Sequence, residues 1–194
     1  MPTRKIPNEL RDEAITAFRH RICEQFEVVP LVHQAQWFAA ADGQVLLDIE
    51  VDDGIPVRLA DGTIQRRAIV PRPHGRARVI GDLGSFKIGK SFAGGLFAAS
   101  FACVPGGRVS LVGSEYDICE PEFDYICDFL LSERGLSMRY SSLQNRPRDG
   151  KMWLDLLNGM RFEAKSWERK DALKGKELGC YTYCEAYQLP GLGC

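Results

Sequence analysis

The sequence predicts an α/β domain in which a mainly parallel sheet is covered by helices on both faces. After residue 77, short apolar runs typical of strands alternate with stretches of helical periodicity, and this order of elements builds parallel sheets. The chain has 194 residues, 45% of them apolar, which is enough to bury one substantial core. We divide it into N-terminal helices (1–41), a β-rich insertion (42–76) and an α/β core (77–194).

Two helices and a hairpin are predicted before residue 77. Asn8 precedes an acidic stretch and predicts a helix cap. The apolar residues that follow at helical spacing are Leu10, Ala14, Phe18, Ile22 and Phe26. Pro30 separates this helix from a second one, which Asp42-Gly43 ends. Residues 44–70 alternate like strands, and Asp61-Gly62 lies where a tight hairpin turns.

Strands and helices are predicted in turn along the core. The predicted helices cover 91–103, which is rich in small residues, and 121–134, which has Pro121 in its first turn and Gly135 as its stop signal. The predicted strands are 78–80, 109–112, 136–143, 152–157, 160–166 and 180–185.

Composition and charge exclude several functional classes. The 25 Lys and Arg nearly balance the 26 Asp and Glu, so a net charge of -1 gives no global affinity for a polyanion, and any nucleic-acid surface must be local. No apolar run approaches the ~20 residues that span a bilayer, and the charged first ten residues are unlike a signal peptide, so we expect a cytoplasmic protein without a membrane partner. The seven cysteines form no C-x-x-C pair, which favours reduced structural thiols over zinc ligands or disulfides.

The strongest local signal is a phosphate-binding loop at residues 84–91, which match G-x-x-x-x-G-K-[ST] at every fixed position. The loop follows an apolar strand and precedes a small-residue helix, so backbone N–H groups converge on phosphate oxygens at a helix N-terminus. We expect Lys90 to reach the β and γ phosphates of ATP and Ser91 to bind Mg²⁺. This predicts a three-layer P-loop NTPase (RecA-like) fold. The expected nucleotide contacts are Gly84, Ser85, Phe86, Lys87, Ile88, Gly89, Lys90, Ser91 and Phe92.

Hydrolysis of ATP also needs a carboxylate at the end of a neighbouring strand, to hold the Mg²⁺ shell and polarise the attacking water. Glu185 is the candidate, because it follows the β-forming run 181–184 at the sheet edge where open α/β sheets bind ligands. The alternative is a surface glutamate at a strand end. Three other acidic residues either cap the helix near residue 121, which we favour, or approach the nucleotide: Glu115, Asp117 and Glu120.

These residues resemble the ATPase domain of the large terminase subunit, the motor that packages DNA into tailed-phage and herpesvirus-type heads. Residues 33–38, after Pro30, resemble a glutamine motif that reads adenine upstream of the loop. Farther along, Asn158-Gly159, the strand 160–166, Leu173-Lys174-Gly175 and the acidic strand 180–186 follow one another in the order found in terminases.

The resemblance implies a Mg²⁺-dependent ATPase that translocates DNA. It implies that Gln34 contacts adenine, that Lys90 and Ser91 hold phosphates and Mg²⁺, and that Glu185 activates water. The implied partners are double-stranded DNA, further copies of the chain in a ring, a portal and a small terminase subunit. Five arginines are candidates for a DNA or subunit contact or for simple solvent exposure: Arg134, Arg139, Arg146, Arg148 and Arg161.

The chain departs from the terminase pattern in its catalytic positions and in the insertion. Cys184 stands where the family usually has Asp, and a thiol is a soft ligand for Mg²⁺. Either Ser91 and Glu185 hold Mg²⁺ through water molecules and this is enough for ATP hydrolysis, or Mg²⁺ binding and ATP hydrolysis are weakened. Lys87 is the nearest equivalent of the family's loop arginine; it either stabilises transition-state charge or is an exposed lysine. The insertion at 42–76 is long for the family.

Two other functions remain open from the sequence. A helicase-like P-loop ATPase of DNA repair or recombination shares the glutamine motif and the loop, and a nucleotide-binding module without catalysis fits Cys184. A packaging motor also needs further strands and a nuclease domain, so we expect either an N-terminal fragment of a longer protein or a reduced protein that relies on another chain, weakly active on its own.

Overall fold

The computed structural model describes residues 7–77, 89–145, 151–167 and 180–184, the backbone alone for 180–183. These residues belong to two compact units, one formed by Met1–Phe26 with Ser91–Cys194 and the other by Glu27–Lys90. The division into 1–41, 42–76 and 77–194 stays a prediction.

Helices and strands fall close to the predicted places. The helices are α1 (Asn8–Gln25), α2 (Val32–Ala41), α3 (Lys90–Ala99) and α4 (Glu120–Leu131). The strands are β1 (Gln44–Arg58), β2 (Ile64–Pro71), β3 (Arg108–Gly113), β4 (Tyr140–Gln144), β5 (Trp153–Leu156), β6 (Arg161–Ser166) and β7 (Cys180–Tyr183). Short 3-10 turns at Ser100–Cys103 and Asp117–Cys119 follow α3 and precede α4. The predicted strand at 78–80 lies outside the described residues.

The first unit is built on a mixed sheet. Its described strands are ordered β4-β5-β6-β3-β7, and β3 runs parallel to both β6 and β7. β5 is antiparallel to β4 and to β6. The predicted α/β class is therefore confirmed, whereas the mainly parallel P-loop arrangement stays a prediction.

An aromatic cluster joins three helices of the first unit. The Phe129 ring of α4 lies 5.0 Å from the Phe26 ring at the end of α1 and 5.4 Å from the Phe92 ring of α3, both edge to face. Gly95 allows α3 to approach α4, since a Cβ there would be 2.6 Å from the Cβ of Tyr125. Close helix packing at a small residue thus positions the helix that begins at Lys90.

Helix α1 differs from its prediction in two respects. It begins at Asn8 with Pro7 at the cap position and no side-chain cap, so the predicted Asn8 cap is wrong. The buried residues of α1 are Ile15, Arg19 and Ile22, while Leu10 is 57% exposed. Arg19 explains the difference in the buried face. It is 1% exposed, and its guanidinium lies over the Phe97 ring at 5.7 Å, so a charged residue occupies the buried side of α1.

The helix and strands described in the second unit are α2 and the two strands of a long ribbon, β1 and β2. β1 and β2 pair antiparallel around the turn at Asp61-Gly62, as the sequence predicts. The ribbon begins and ends at one place: the Arg72 N–H donates to the Gly43 carbonyl (2.8 Å), and the Ala77 N–H donates to the Ala40 carbonyl at the end of α2 (2.9 Å). The two ends of the ribbon therefore lie together at the C-terminus of α2, and the phosphate-loop sequence follows in the chain.

Among the helices that the structure describes, none combines the length and apolar character needed to cross a membrane.

Replacing Phe129 by Ala should lower the free energy of unfolding by about 3–5 kcal/mol, because the Phe129 ring is 1% exposed and contacts α1 and α3. Tyr140→Ala is the matched control, since Tyr140 is 49% exposed and should cost far less. Urea unfolding followed by circular dichroism measures both changes, and equal losses would show that the cluster is not what holds the helices together.

Candidate functional site

The described part of the phosphate loop is its C-terminal end. Gly89 has a φ of 78°, in the left-handed region that favours glycine, and Lys90 follows it as the first residue of α3. The loop thus turns sharply into a helix N-terminus, where the first N–H groups have no partner within the helix. Gly84, Ser85, Phe86, Lys87 and Ile88 lie outside the described residues.

Gln34 of α2 reaches this turn. Its Oε1 accepts a hydrogen bond from the Leu31 N–H (3.0 Å), and its Nε2 donates to the Gly89 carbonyl (3.0 Å). The residue is only 5% exposed, which favours a single side-chain position. The structure therefore brings together two motifs that are 55 residues apart in the chain.

The Gln34 amide keeps part of its hydrogen-bonding capacity. A primary amide has two N–H donors and two acceptor lone pairs, and the two bonds to Leu31 and Gly89 use one of each. One donor and one acceptor match the N7 acceptor and N6 amino donor of adenine. The two bonds in the described residues therefore leave one donor and one acceptor of the amide, the number that a paired contact to adenine uses, and the adenine contact itself stays a prediction.

Ser91 and Phe92 occupy the first turn of α3 and are both half-buried. The Phe92 ring packs edge to face on Tyr125 at 5.2 Å, so it belongs to the core of the first unit. The predicted contact of Phe92 with the nucleotide would therefore be made by its backbone and not by its ring.

The carboxyl ends of the three parallel strands meet in the first unit. The Cys184 N–H, one residue after β7, donates to the Val112 carbonyl of β3 (2.8 Å), and the Ser166 hydroxyl of β6 donates to the Ser114 carbonyl (2.9 Å). This is the edge at which open α/β sheets bind ligands. The predicted base, Glu185, is the next residue and lies outside the described part of the chain.

Cys184 is buried with an acidic neighbour that the sequence did not indicate. A hydrogen bond with the Cys119 side chain, burial, and the carboxylate of Glu122 raise the pKa of the Cys184 thiol well above its usual range. The thiol stays protonated at neutral pH, which makes Cys184 a poor ligand for Mg²⁺. Residue 184 therefore supplies no charge at the position where the resemblance implies Asp.

Glu122 is the acidic residue that sequence reasoning missed. It lies in the first turn of α4 and is 8% exposed. The available signal is its spacing, because Glu122 follows Cys119 by three residues and precedes Ile126 by four, on the buried side of the helix. An acidic residue within an apolar stripe indicates a buried carboxylate. The predicted capping residues Glu115 and Asp117 are exposed.

Three of the five candidate arginines, Arg134, Arg139 and Arg161, lie in the described residues. The Arg161 guanidinium contacts Asp155 (3.2 Å) and Glu163 (3.5 Å) on the sheet, and that of Arg134 stacks over Phe26 at 5.1 Å. Arg139 is exposed. Arg146 and Arg148 lie outside the described residues. The Arg161 guanidinium is therefore ion-paired within the sheet, and a DNA or subunit contact of these arginines stays a prediction.

No cluster of three or more His, Cys, Asp or Glu side chains able to hold a metal ion occurs in the part of the chain that the structure describes. Comparison with protein-family models, with curated proteins and with solved structures finds no match to this chain.

Replacing Cys184 by Asp should destabilise the protein in a pH-dependent way. Burial and the Glu122 charge would raise the folded-state pKa of the new carboxyl above its unfolded value of about 3.9. The loss of free energy of unfolding relative to wild type is then small below about pH 4 and grows as pH rises, to roughly 2–4 kcal/mol at pH 8. Thermal unfolding at pH 5 and pH 8 measures it.

Two further variants separate charge from shape at Cys184. Cys184→Asn should cost the same at both pH values, and Glu122→Gln in the Cys184→Asp background should restore the part of the stability lost at pH 8 that is due to charge repulsion rather than to burial. A pH-independent loss in Cys184→Asp would contradict the burial of this position, and a loss at pH 8 that Glu122→Gln leaves unchanged would contradict the placement of Glu122 beside it.

Proposed function

We propose that this chain binds ATP with Mg²⁺ at residues 84–91 and hydrolyses it. The observation that carries the proposal is the 3.0 Å hydrogen bond from Gln34 to the Gly89 carbonyl. It supports a common role for the glutamine motif and the phosphate-loop sequence, because the adenine-reading residue contacts the turn that leads into the predicted phosphate cradle.

The residues have distinct roles in this proposal. Lys90 neutralises charge on the β and γ phosphates, and Lys87 stabilises charge that develops in the transition state. Ser91 offers a hydroxyl oxygen, a hard ligand of the kind that Mg²⁺ prefers, and bound Mg²⁺ would neutralise phosphate charge. Glu185 accepts the proton of the attacking water. Most remaining ligands of such an ion come from phosphate and water, so the absence of a described three-residue metal cluster is compatible with this donor set.

We further propose a P-loop, RecA-like fold and a role as the ATPase domain of a DNA-packaging motor of the large terminase type. The segment after β5 supports this reading. Gly159 has a φ of 83°, the Asn158 Oδ1 accepts from the Met160 N–H (3.0 Å), and β6 follows directly. The Asn-Gly turn, the strand after it and the final parallel strand thus occur in the order that the resemblance requires. In this role the chain acts on duplex DNA in a ring of copies, with a portal and a small subunit as partners.

A nucleotide-binding module with little catalysis is the second candidate, and Cys184 favours it. The neutral, buried thiol stands next to the proposed base and adds no negative charge at the Mg²⁺ side of the site. ATP binding without phosphate release would support this alternative.

Lys90→Ala should lower ATP hydrolysis by on the order of 10²–10³-fold and weaken ATP binding, because it removes the cation that holds the phosphates. Glu185→Gln should keep ATP binding and lower the hydrolysis rate by about 10²–10⁴-fold. Phosphate release and calorimetric titration measure the two effects, with the exposed Lys151→Ala as control. Unchanged hydrolysis in Lys90→Ala would exclude the proposed site.

Double-stranded DNA should stimulate ATP hydrolysis more than single-stranded DNA, since a packaging motor grips the intact duplex backbone. The stimulation should fall steeply with salt, as contacts to phosphates do. ATPase assays with each DNA at two salt concentrations measure it. Stronger stimulation by single strands, together with strand separation, would favour the helicase-like alternative.

A further inference from the structure

We propose that Gln34 is a positioning residue of the phosphate loop, which sets the affinity of the loop for a phosphate chain whether or not a base is attached. The inference rests on the proposed function, in that residues 84–91 are taken to bind phosphates. It goes beyond that function because an adenine contact alone has no effect on a ligand without a base.

The first step is the geometry of the Gln34 amide. Its oxygen is fixed by the Leu31 N–H just before α2, and its nitrogen is bonded to the Gly89 carbonyl just before α3, each at 3.0 Å. The amide is planar, so two bonds on its two ends define its orientation. Its 5% exposure keeps water from competing for these bonds.

The second step is the peptide unit that Gln34 holds. The Gly89 carbonyl and the Lys90 N–H belong to one peptide group, and the chain contains no cis peptide among the described residues, so the two groups point in opposite directions. Fixing the carbonyl therefore fixes the direction of the Lys90 N–H. That N–H is the first donor of α3 and one of those expected in the phosphate cradle.

The third step is the closeness of the contact. A Cβ on Gly89 would lie 2.8 Å from the Gln34 Nε2, and the φ of 78° already disfavours any other residue there. Gln34 and Gly89 thus fit each other without spare room. Loss of the Gln34 amide would remove the hydrogen bond that holds the Gly89 carbonyl at this turn.

The test compares ATP with inorganic tripolyphosphate, both with Mg²⁺, by calorimetric titration of the whole chain. Gln34→Met keeps the length of the side chain but removes both hydrogen bonds. It should weaken tripolyphosphate binding by about tenfold, and ATP binding by at least as much because ATP also loses its adenine contact. Gln36→Met is the matched control, because Gln36 is exposed on the same helix and should leave both affinities unchanged.

The outcomes separate positioning from the alternatives. If Gln34→Met weakens ATP but not tripolyphosphate, Gln34 only reads the base and the inference is wrong. If both affinities stay unchanged, Gln34 only fills space, which also overturns it. Thermal melting of each variant identifies a loss caused by unfolding, and Gln34→Ala repeats the comparison with a smaller side chain.

The failure of the proposed function is distinguishable from these results. Wild-type protein that binds neither ATP nor tripolyphosphate would exclude a phosphate site and with it the inference. Wild-type protein that binds both, together with an unchanged tripolyphosphate affinity in Gln34→Met, would exclude only the role of Gln34.

Discussion

The first unit depends on β3, whose two edges are both hydrogen-bonded to parallel strands. A strand in this position is covered on both faces. Accordingly, Val109, Leu111 and Val112 are fully buried. Its last residue, Gly113, leaves no room for a side chain, since a Cβ there would lie 2.7 Å from the Glu115 carbonyl. This close turn brings the start of α4 against the strand ends and thereby places Glu122 beside Cys184.

Local sequence signals predicted most of the elements because those signals act over a few residues. The Asp42-Gly43 stop of α2, the Asp61-Gly62 turn of the ribbon and the small-residue helix after the loop all occur where expected. The buried face of α1 shares Ile22 with the predicted stripe but also includes Ile15 and Arg19, and the residues that approach Cys184 were not predicted. Both depend on a charged residue, Arg19 or Glu122, that occupies a buried position in an apolar pattern.

The order of strands was harder to predict, because pairing joins residues that are distant in the chain. The mixed character of the sheet nevertheless had a signal. Asn158-Gly159 between two β-forming runs is typical of a tight hairpin, and β5 and β6 pair antiparallel across that turn. Asn158-Gly159 was interpreted only as part of the terminase resemblance, and the antiparallel hairpin that the pair indicates was not predicted.

Cys184 and Glu122 explain each other in physical terms. A neutral thiol with a raised pKa tolerates a buried carboxylate as its neighbour, whereas an aspartate at 184 would add a second negative charge in the same buried place. The resemblance implies Asp at position 184, and this chain has Cys there. The neighbour of this Cys is an acidic residue of α4, Glu122. Glu122 of α4 thus places an acidic side chain beside the Cys184 thiol at the end of β7, one residue before the predicted base Glu185 in the chain.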